Sequence, residues 1–215
     1  MNQNMEIENI IFDLGGVLLK LDFQATYTRM SDILSIPFQP DQLSPEIHKL
    51  LTDFETGSIG TEVFIWNLQR MATGKVPEGN QIAEAWNAML LGWNPQIFDM
   101  LERLGKHYKV FLLSNTNALH LQWIHNNLRF RFGISDWETQ FFYNTYYSHL
   151  IGYRKPDPAI FKFVGEKEQL IPQKTLFIDD LQANINGASE SLWHTYLHNP
   201  EEDIVKIIES ELSLL

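Results

Sequence analysis

Cysteine is absent from the chain, which removes thiol catalysis, iron–sulfur clusters, cysteine zinc sites and a disulfide framework together. Positive charge is scarce as well: 16 Lys and Arg stand against 27 Asp and Glu, for a net charge of −11. Nucleic acid and anionic membranes are therefore poor partners for the protein as a whole. No apolar run approaches the length of a membrane span. The opening residues, MNQNMEIENIIFDLGG, lack the basic end and apolar centre of a secretory leader. A cytoplasmic protein is the expectation. The shortage of cations also sets a problem, because an anionic substrate would need positive charge gathered locally, from a metal ion or a few placed side chains.

The rest of the composition is that of a soluble globular protein: 215 residues, 44% hydrophobic and 20% charged. A chain of this size buries a full core unaided. Residues 7–13 carry the unbroken apolar run Ile10-Ile11-Phe12 and end in Asp-Leu-Gly-Gly. Residues 109–114 (KVFLLS) repeat the pattern before Asn-Thr-Asn, and residues 175–180 (TLFIDD) repeat it before two carboxylates. Such runs read as strands buried on both faces. Residues 143–148 and 194–198 are weaker strand candidates. Helical patterns lie between them, at 94–107, 117–128, 157–168, 181–192 and 201–212. Alternating strands and helices predict a parallel, Rossmann-like sheet with helices on both faces. Functional groups then belong just beyond the carboxyl ends of the strands, where every polar cluster named above falls.

Residues 21–93 break the alternation, with helical patterns at 23–34, 45–54, 61–71 and 80–91 and no convincing strand. They predict a small helical domain inserted into a core made of residues 1–20 and 94–215. Trp66, Trp86, Trp93, Phe54 and Phe64 are expected to form the core of the insertion. The stretch Phe54-Glu55-Thr56-Gly57-Ser58 is the candidate tip reaching into a site.

If the sheet forms as read, Asp13, Ser114, Asn115, Lys155, Asp179 and Asp180 converge. Three crowded carboxylates repel strongly at neutral pH, and a hard divalent cation relieves that repulsion. Magnesium suits carboxylate oxygens together with water and a phosphate. The two histidines on the predicted 117–128 helix, His120 and His125, are five residues apart, lack the spacing of a helical zinc pair and read as structural.

FDLGGV, LLSNTN, GYRKPDP and FIDD with Asn184 and Gly187 resemble, in order and spacing, the four motifs of the haloacid dehalogenase superfamily. The insertion resembles that family's helical cap, and FETGSIG is similar to the cap loop of its phosphatases. The resemblance implies a Mg²⁺-dependent phosphatase acting on a small phosphorylated metabolite, such as a sugar phosphate, as a monomer or homodimer. It implies that Asp13 attacks phosphorus and forms an aspartyl-phosphate. Asp13, the Gly15 carbonyl, Asp179 and Asp180 would hold the metal, with Asp180 the surer direct ligand. Ser114, the Asn115 N–H, Lys155 and Gly16 would meet the phosphoryl group, and Glu55 the rest of the substrate.

One departure from the family pattern matters. Phosphatases of the family carry a second Asp two residues after the nucleophile, which protonates the leaving group; here that position is Gly15. The loss typically costs on the order of 10²–10⁴ in rate. Three resolutions stand open: a cap residue such as Glu55 gives the proton, the substrate has a good leaving group, or the enzyme has lapsed. Sugar-1-phosphate phosphatases with the motif Asp-Leu-Gly-Asn-Val are similar and favour activity. Two alternatives remain. A metal-independent 2-haloacid dehalogenase would carry Tyr at position 15 and a disrupted acidic pair. A non-catalytic phosphometabolite-binding protein has Gly15 as its only support.

Overall fold

The computed structural model describes residues 6–215. Seven strands run β1 Asn9–Phe12, β2 Leu19–Leu21, β3 Leu90–Trp93, β4 Lys109–Ser114, β5 Asn144–Tyr147, β6 Thr175–Asp179 and β7 His194–Leu197. Five of them form one parallel sheet in the order β5-β4-β1-β6-β7. The remaining pair, β2 and β3, is antiparallel. The helices are α1 Phe23–Leu34, α2 Pro45–Glu55, α3 Thr61–Met71, α4 Gly79–Trp86, α5 Gln96–Leu104, α6 Ala118–Phe132, α7 Trp137–Phe141, α8 Ser148–Ile151, α9 Pro158–Glu168, α10 Gln182–Glu190 and α11 Ile204–Lys206.

The period-2 geometry of strands divides the central apolar runs between two layers. Ile10, Phe12, Val110, Leu112, Leu176 and Ile178 join one core, with α5 and α6. Ile11, Phe111, Leu113 and Phe177 join the other, with α9 and α10. Burial on both faces explains why these strands read as continuous rather than alternating sequence. Register then sets the site. Phe12 lies level with Leu112 on one side and Ile178 on the other, so Asp13 leaves the sheet beside Leu113 and Asp179.

The four helices α1–α4 form the cap and close around a third core of Met30, Phe38, Phe54, Phe64, Ile82 and Trp86. Phe54 and Phe64 stack at 4.1 Å, and Trp86 meets Phe64 edge-on at 5.2 Å. Leu119 of α6 joins this core, which seats the cap on the helix that follows β4.

Four expectations are corrected. Residues 90–93 form a strand; the expected 80–91 helix stops at Trp86 and unwinds through one 3₁₀ turn. Trp93 leaves the cap core and packs edge-on against Trp137 in the main one, at 5.6 Å. Trp66 is 52% exposed, with Arg70 lying over its ring. The expected 201–212 helix is a single α-turn running into a π-helix at Ile207–Glu211. The described residues contain no helix long and apolar enough to cross a membrane.

Because Phe64 is buried and Trp66 is not, their truncations should separate. Phe64→Ala should cost about 3–5 kcal/mol in urea unfolding, whereas Trp66→Ala should stay within about 0.5 kcal/mol.

Candidate active site

Asp13, Ser114 and Asp179 sit at the carboxyl ends of three adjacent strands, and Asp180 follows at once. Lys155 comes from the turn before α9 and is 1% exposed. Its Nζ donates to Asp13 Oδ1 at 2.7 Å, Asp179 Oδ2 at 2.6 Å and the Leu113 carbonyl at 2.8 Å. All three ammonium protons therefore have acceptors. Burial alone would lower the Lys155 pKa, but Asp13 and Asp179 raise it above the usual lysine value.

The carboxylates are not equivalent. Asp179 accepts from Lys155, the Leu181 N–H and both contacts of the Asn184 amide, so its oxygens are already well occupied. Asp13 and Asp180 both line a cavity of ≈380 Å³ shared by the core and the cap. Burial pushes Asp13 up to about 7 against the pull of Lys155, with Asp179 adding to the rise. Burial and then Asp179 push Asp180 up to about 6. One oxygen from each of Asp13, Asp179 and Asp180 falls within 4.8 Å of the others. A set of hard carboxylate oxygens this close fits a hard divalent cation. Gly16 makes the approach of Asp180 feasible: at φ +76° a Cβ there would stand 2.3 Å from Asp180 Oδ2.

The loop after β4 is fastened on two sides. Asn115 and Lys155 exchange bonds, Asn115 Nδ2 to the Lys155 carbonyl at 2.8 Å and the Lys155 N–H to Asn115 Oδ1 at 2.9 Å. Ser148 Oγ accepts from the Thr116 N–H and donates to the Thr116 carbonyl. Buried Asn117 caps α6 and donates to His120 Nδ1, while His120 Nε2 faces the Trp86 carbonyl of the cap. Burial lowers the His120 pKa to about 4, so the ring is neutral.

A family model for the haloacid dehalogenase-like hydrolases matches residues 7–191. The chain belongs to that family. The D-ribitol-5-phosphate phosphatase of Bacteroides thetaiotaomicron is 27% identical over 194 residues, spanning 88% of this chain and 91% of that protein. A haloacid dehalogenase (HAD) family enzyme from the same organism was solved in complex with magnesium and inorganic phosphate. It is 33% identical, superposes with a TM-score of 0.79, and the match covers 92% of this chain and 96% of that one. A HAD-like hydrolase from Porphyromonas gingivalis is 29% identical with a TM-score of 0.79, over 96% and 98% of the two chains.

Within this HAD hydrolase, Asp13, Gly15, Ser114, Asn115, Lys155 and Asp180 line or reach the one cavity, and Asp179 lies behind Lys155. Glu55, at the end of α2, lines the cavity from the cap side and pairs with Arg154 Nη2 at 3.0 Å. Burial lifts the Glu55 pKa above the ordinary glutamate value and Arg154 opposes that lift. Gly16 abuts Asp180 and does not line the cavity itself. Sequence reasoning passed over Arg154, Tyr27, His48 and Thr52, all of which line the cavity. A signal existed: His48, Thr52 and Glu55 recur at i, i+4 and i+7, a polar stripe beside the apolar face Ile47, Leu50 and Phe54 of the same helix. His125 is spent on Glu138 at 2.6 Å.

The space beside Gly15 is filled. A Cβ there would lie 2.6 Å from Leu21 Cδ1 in β2, so an acid at this position has to displace that side chain. Gly15→Asp alone should lower stability by about 1–3 kcal/mol through overpacking, and Leu21→Ala in the same chain should recover part of that loss. Equal urea midpoints for Gly15→Asp and the parent protein would contradict the packing.

Proposed function

We propose that the protein is a magnesium-dependent phosphatase that hydrolyses the monoester of a small, polyhydroxylated metabolite through an aspartyl-phosphate. The observation that carries this reading is the buried Asp13–Lys155–Asp179 arrangement, opening with Asp180, Ser114 and Asn115 onto one cavity. The Bacteroides relatives support it, one by its named sugar-alcohol phosphate and the other by its magnesium and phosphate. The cavity, at ≈380 Å³, lies toward the small end of the roughly 300–1,000 Å³ range of ligand sites.

Asp13 Oδ1 is held by Lys155, which leaves the second oxygen to attack phosphorus. The ester P–O bond breaks as the Asp13–phosphorus bond forms, and the leaving alkoxide takes a proton from water. Water then attacks the aspartyl-phosphate, releasing phosphate and restoring Asp13. Ser114 Oγ and the Asn115 N–H donate to phosphoryl oxygens, and Lys155 offsets charge between them and Asp13. Asp13, Asp180 and the Gly15 carbonyl would hold the magnesium ion, while Asp179 orients Lys155. When bound, the ion offsets charge so that an anionic nucleophile and an anionic phosphoryl group can meet.

Leu21 Cδ1 lies where a side chain at position 15 would begin, and Glu55 is already engaged by Arg154, which opposes the lift that burial gives its pKa. The reading that follows is hydrolysis without a built-in proton donor. A metal-free haloacid dehalogenase is disfavoured, because Asp180 beside Asp179 would carry uncompensated charge next to the nucleophile.

Asp13→Asn should abolish phosphate release; retained turnover would remove Asp13 as nucleophile. Asp180→Ala should shift the magnesium titration to much higher concentration. Protons and metal compete for the same oxygens, so in the parent protein magnesium affinity should weaken as pH falls through about 6, the value to which burial lifts Asp180. A titration flat from pH 8 to pH 5 would remove Asp180 as a ligand.

Without a general acid, rate depends on the leaving group. Aryl phosphates should be hydrolysed faster than alkyl phosphates by on the order of 10²–10⁴. The Glu55→Gln pH–rate profile should keep the parent's shape, and loss of a limb would make Glu55 the donor.

A further inference from the structure

Beyond the reacting centre, the cavity has an unusual charge arrangement. Among the described residues, Arg154 and Lys155 are the only Arg or Lys lining it. Lys155 is committed to Asp13 and Asp179, and Arg154 to Glu55 of the cap. Opposite them the cap contributes Phe23, Phe38, Pro40, Leu43 and Leu51, broken by Tyr27, His48 and Thr52. The chamber that receives the non-phosphate part of the substrate thus holds no unpaired arginine or lysine. It does hold an acceptor on the cap side, the Glu55 carboxylate. The Glu55 carboxylate has two oxygens, of which Oε2 meets the guanidinium.

A hydroxyl group can donate to the Glu55 carboxylate, whereas an ionised carboxylate or second phosphate can only accept. An added anion would also be desolvated next to Glu55 with no free cation to receive it, an expensive placement. We propose that the Glu55–Arg154 pair is a specificity determinant that admits phosphomonoesters with a neutral, hydroxyl-bearing remainder and rejects those carrying a second negative charge. This rests on the phosphatase reading but names the remainder of the substrate, which that reading leaves open. The pair spans the two domains, so the contact that reads the remainder also ties the cap to the motif containing Lys155.

Two ligands that differ at one carbon test this: ribitol 5-phosphate and 5-phosphoribonate, with a terminal hydroxymethyl in one and a carboxylate in the other. Their dissociation constants are measured by calorimetry on Asp13→Asn protein with magnesium, and kcat/KM on the active protein. The neutral ligand should be favoured at least about tenfold in both. Glu55→Gln frees Arg154 and should narrow that preference by about tenfold, through tighter binding of the acid. Arg154→Gln leaves Glu55 unpaired and should widen it. Equal affinity for the two ligands, binding of neither, or a preference unmoved by both substitutions would overturn the proposal. Such results could coexist with phosphate release from aryl esters, which tests the phosphatase reading separately. Far-ultraviolet circular dichroism checks that each variant is folded.

Discussion

A lysine ammonium buried to 1% exposure organises this molecule. A buried ammonium is tolerable only when each N–H finds an acceptor and the charge is balanced. Lys155 meets both conditions through Asp13, Asp179 and the Leu113 carbonyl. Those groups belong to three neighbouring strands, so the lysine fixes how the ends of β4, β1 and β6 sit relative to one another. Asp179 is held in turn by Asn184 of α10, and the Lys155 backbone by Asn115. The lattice is built around one cation, and it leaves a remainder: three carboxylates stand against one ammonium. Like charges within 4.8 Å repel by roughly 3 kcal/mol even at an effective dielectric constant of about 20. Burial raises Asp13 and Asp180, and the neighbouring Asp179 carboxylate adds to both rises. The site is thus prepared for added positive charge at Asp180 and not at Asp179, because the latter already has its donors.

The same constraint explains which parts of the molecule were readable beforehand. Ile10-Ile11-Phe12, Val110-Phe111-Leu112 and Leu176-Phe177-Ile178 are buried on both faces, and two-faced burial leaves an unbroken apolar run. Polar residues following such a run mark the strand ends, so Asp13, Ser114 and Asp179/Asp180 could be found without coordinates. The β2–β3 pair could not. Leu90-Leu91-Gly92-Trp93 is short, lacks β-branched residues and follows a helix whose apolar spacing runs on into it. Trp66 and Trp93 were misplaced for a related reason: periodicity shows that a helix has an apolar face, but not how far the neighbouring element covers it. Glu55 was found through its loop. Its partner Arg154 stood next to Lys155 in the sequence, yet a pair joining residues 99 positions apart leaves no local trace.

Cap and core are joined by contacts of two kinds, and the distinction bears on function. Near the hinge they are buried and largely neutral. The Trp86 carbonyl faces the neutral His120 ring of α6, and Trp86 stacks on that ring at 5.4 Å. Neutral buried hydrogen bonds hold geometry with little dependence on salt or pH. At the end of α2 the contacts are the partly exposed Glu55–Arg154 ion pair, of modest strength and exchangeable, and the close approach of Gly57 to the His149 carbonyl. Salt screens the ionic edge and leaves the neutral edge fastened. The β2–β3 ribbon carries the chain both into and out of the cap at that edge.

Leu21 connects this hinge to the chemistry. It belongs to β2, the first strand of the ribbon, and its Cδ1 occupies the space in which a side chain at position 15 would begin. The absence of an acid after the nucleophile is therefore a packing choice as well as a missing functional group. With Gly15, the turn beyond Asp13 bridges to Leu19 at the start of β2, so it lies against the ribbon that carries the cap. Leu21 Cδ1 is the end of a flexible side chain, so a chain with an acid at position 15 would need Leu21 to turn aside or be smaller, and the two positions are coupled through that one contact.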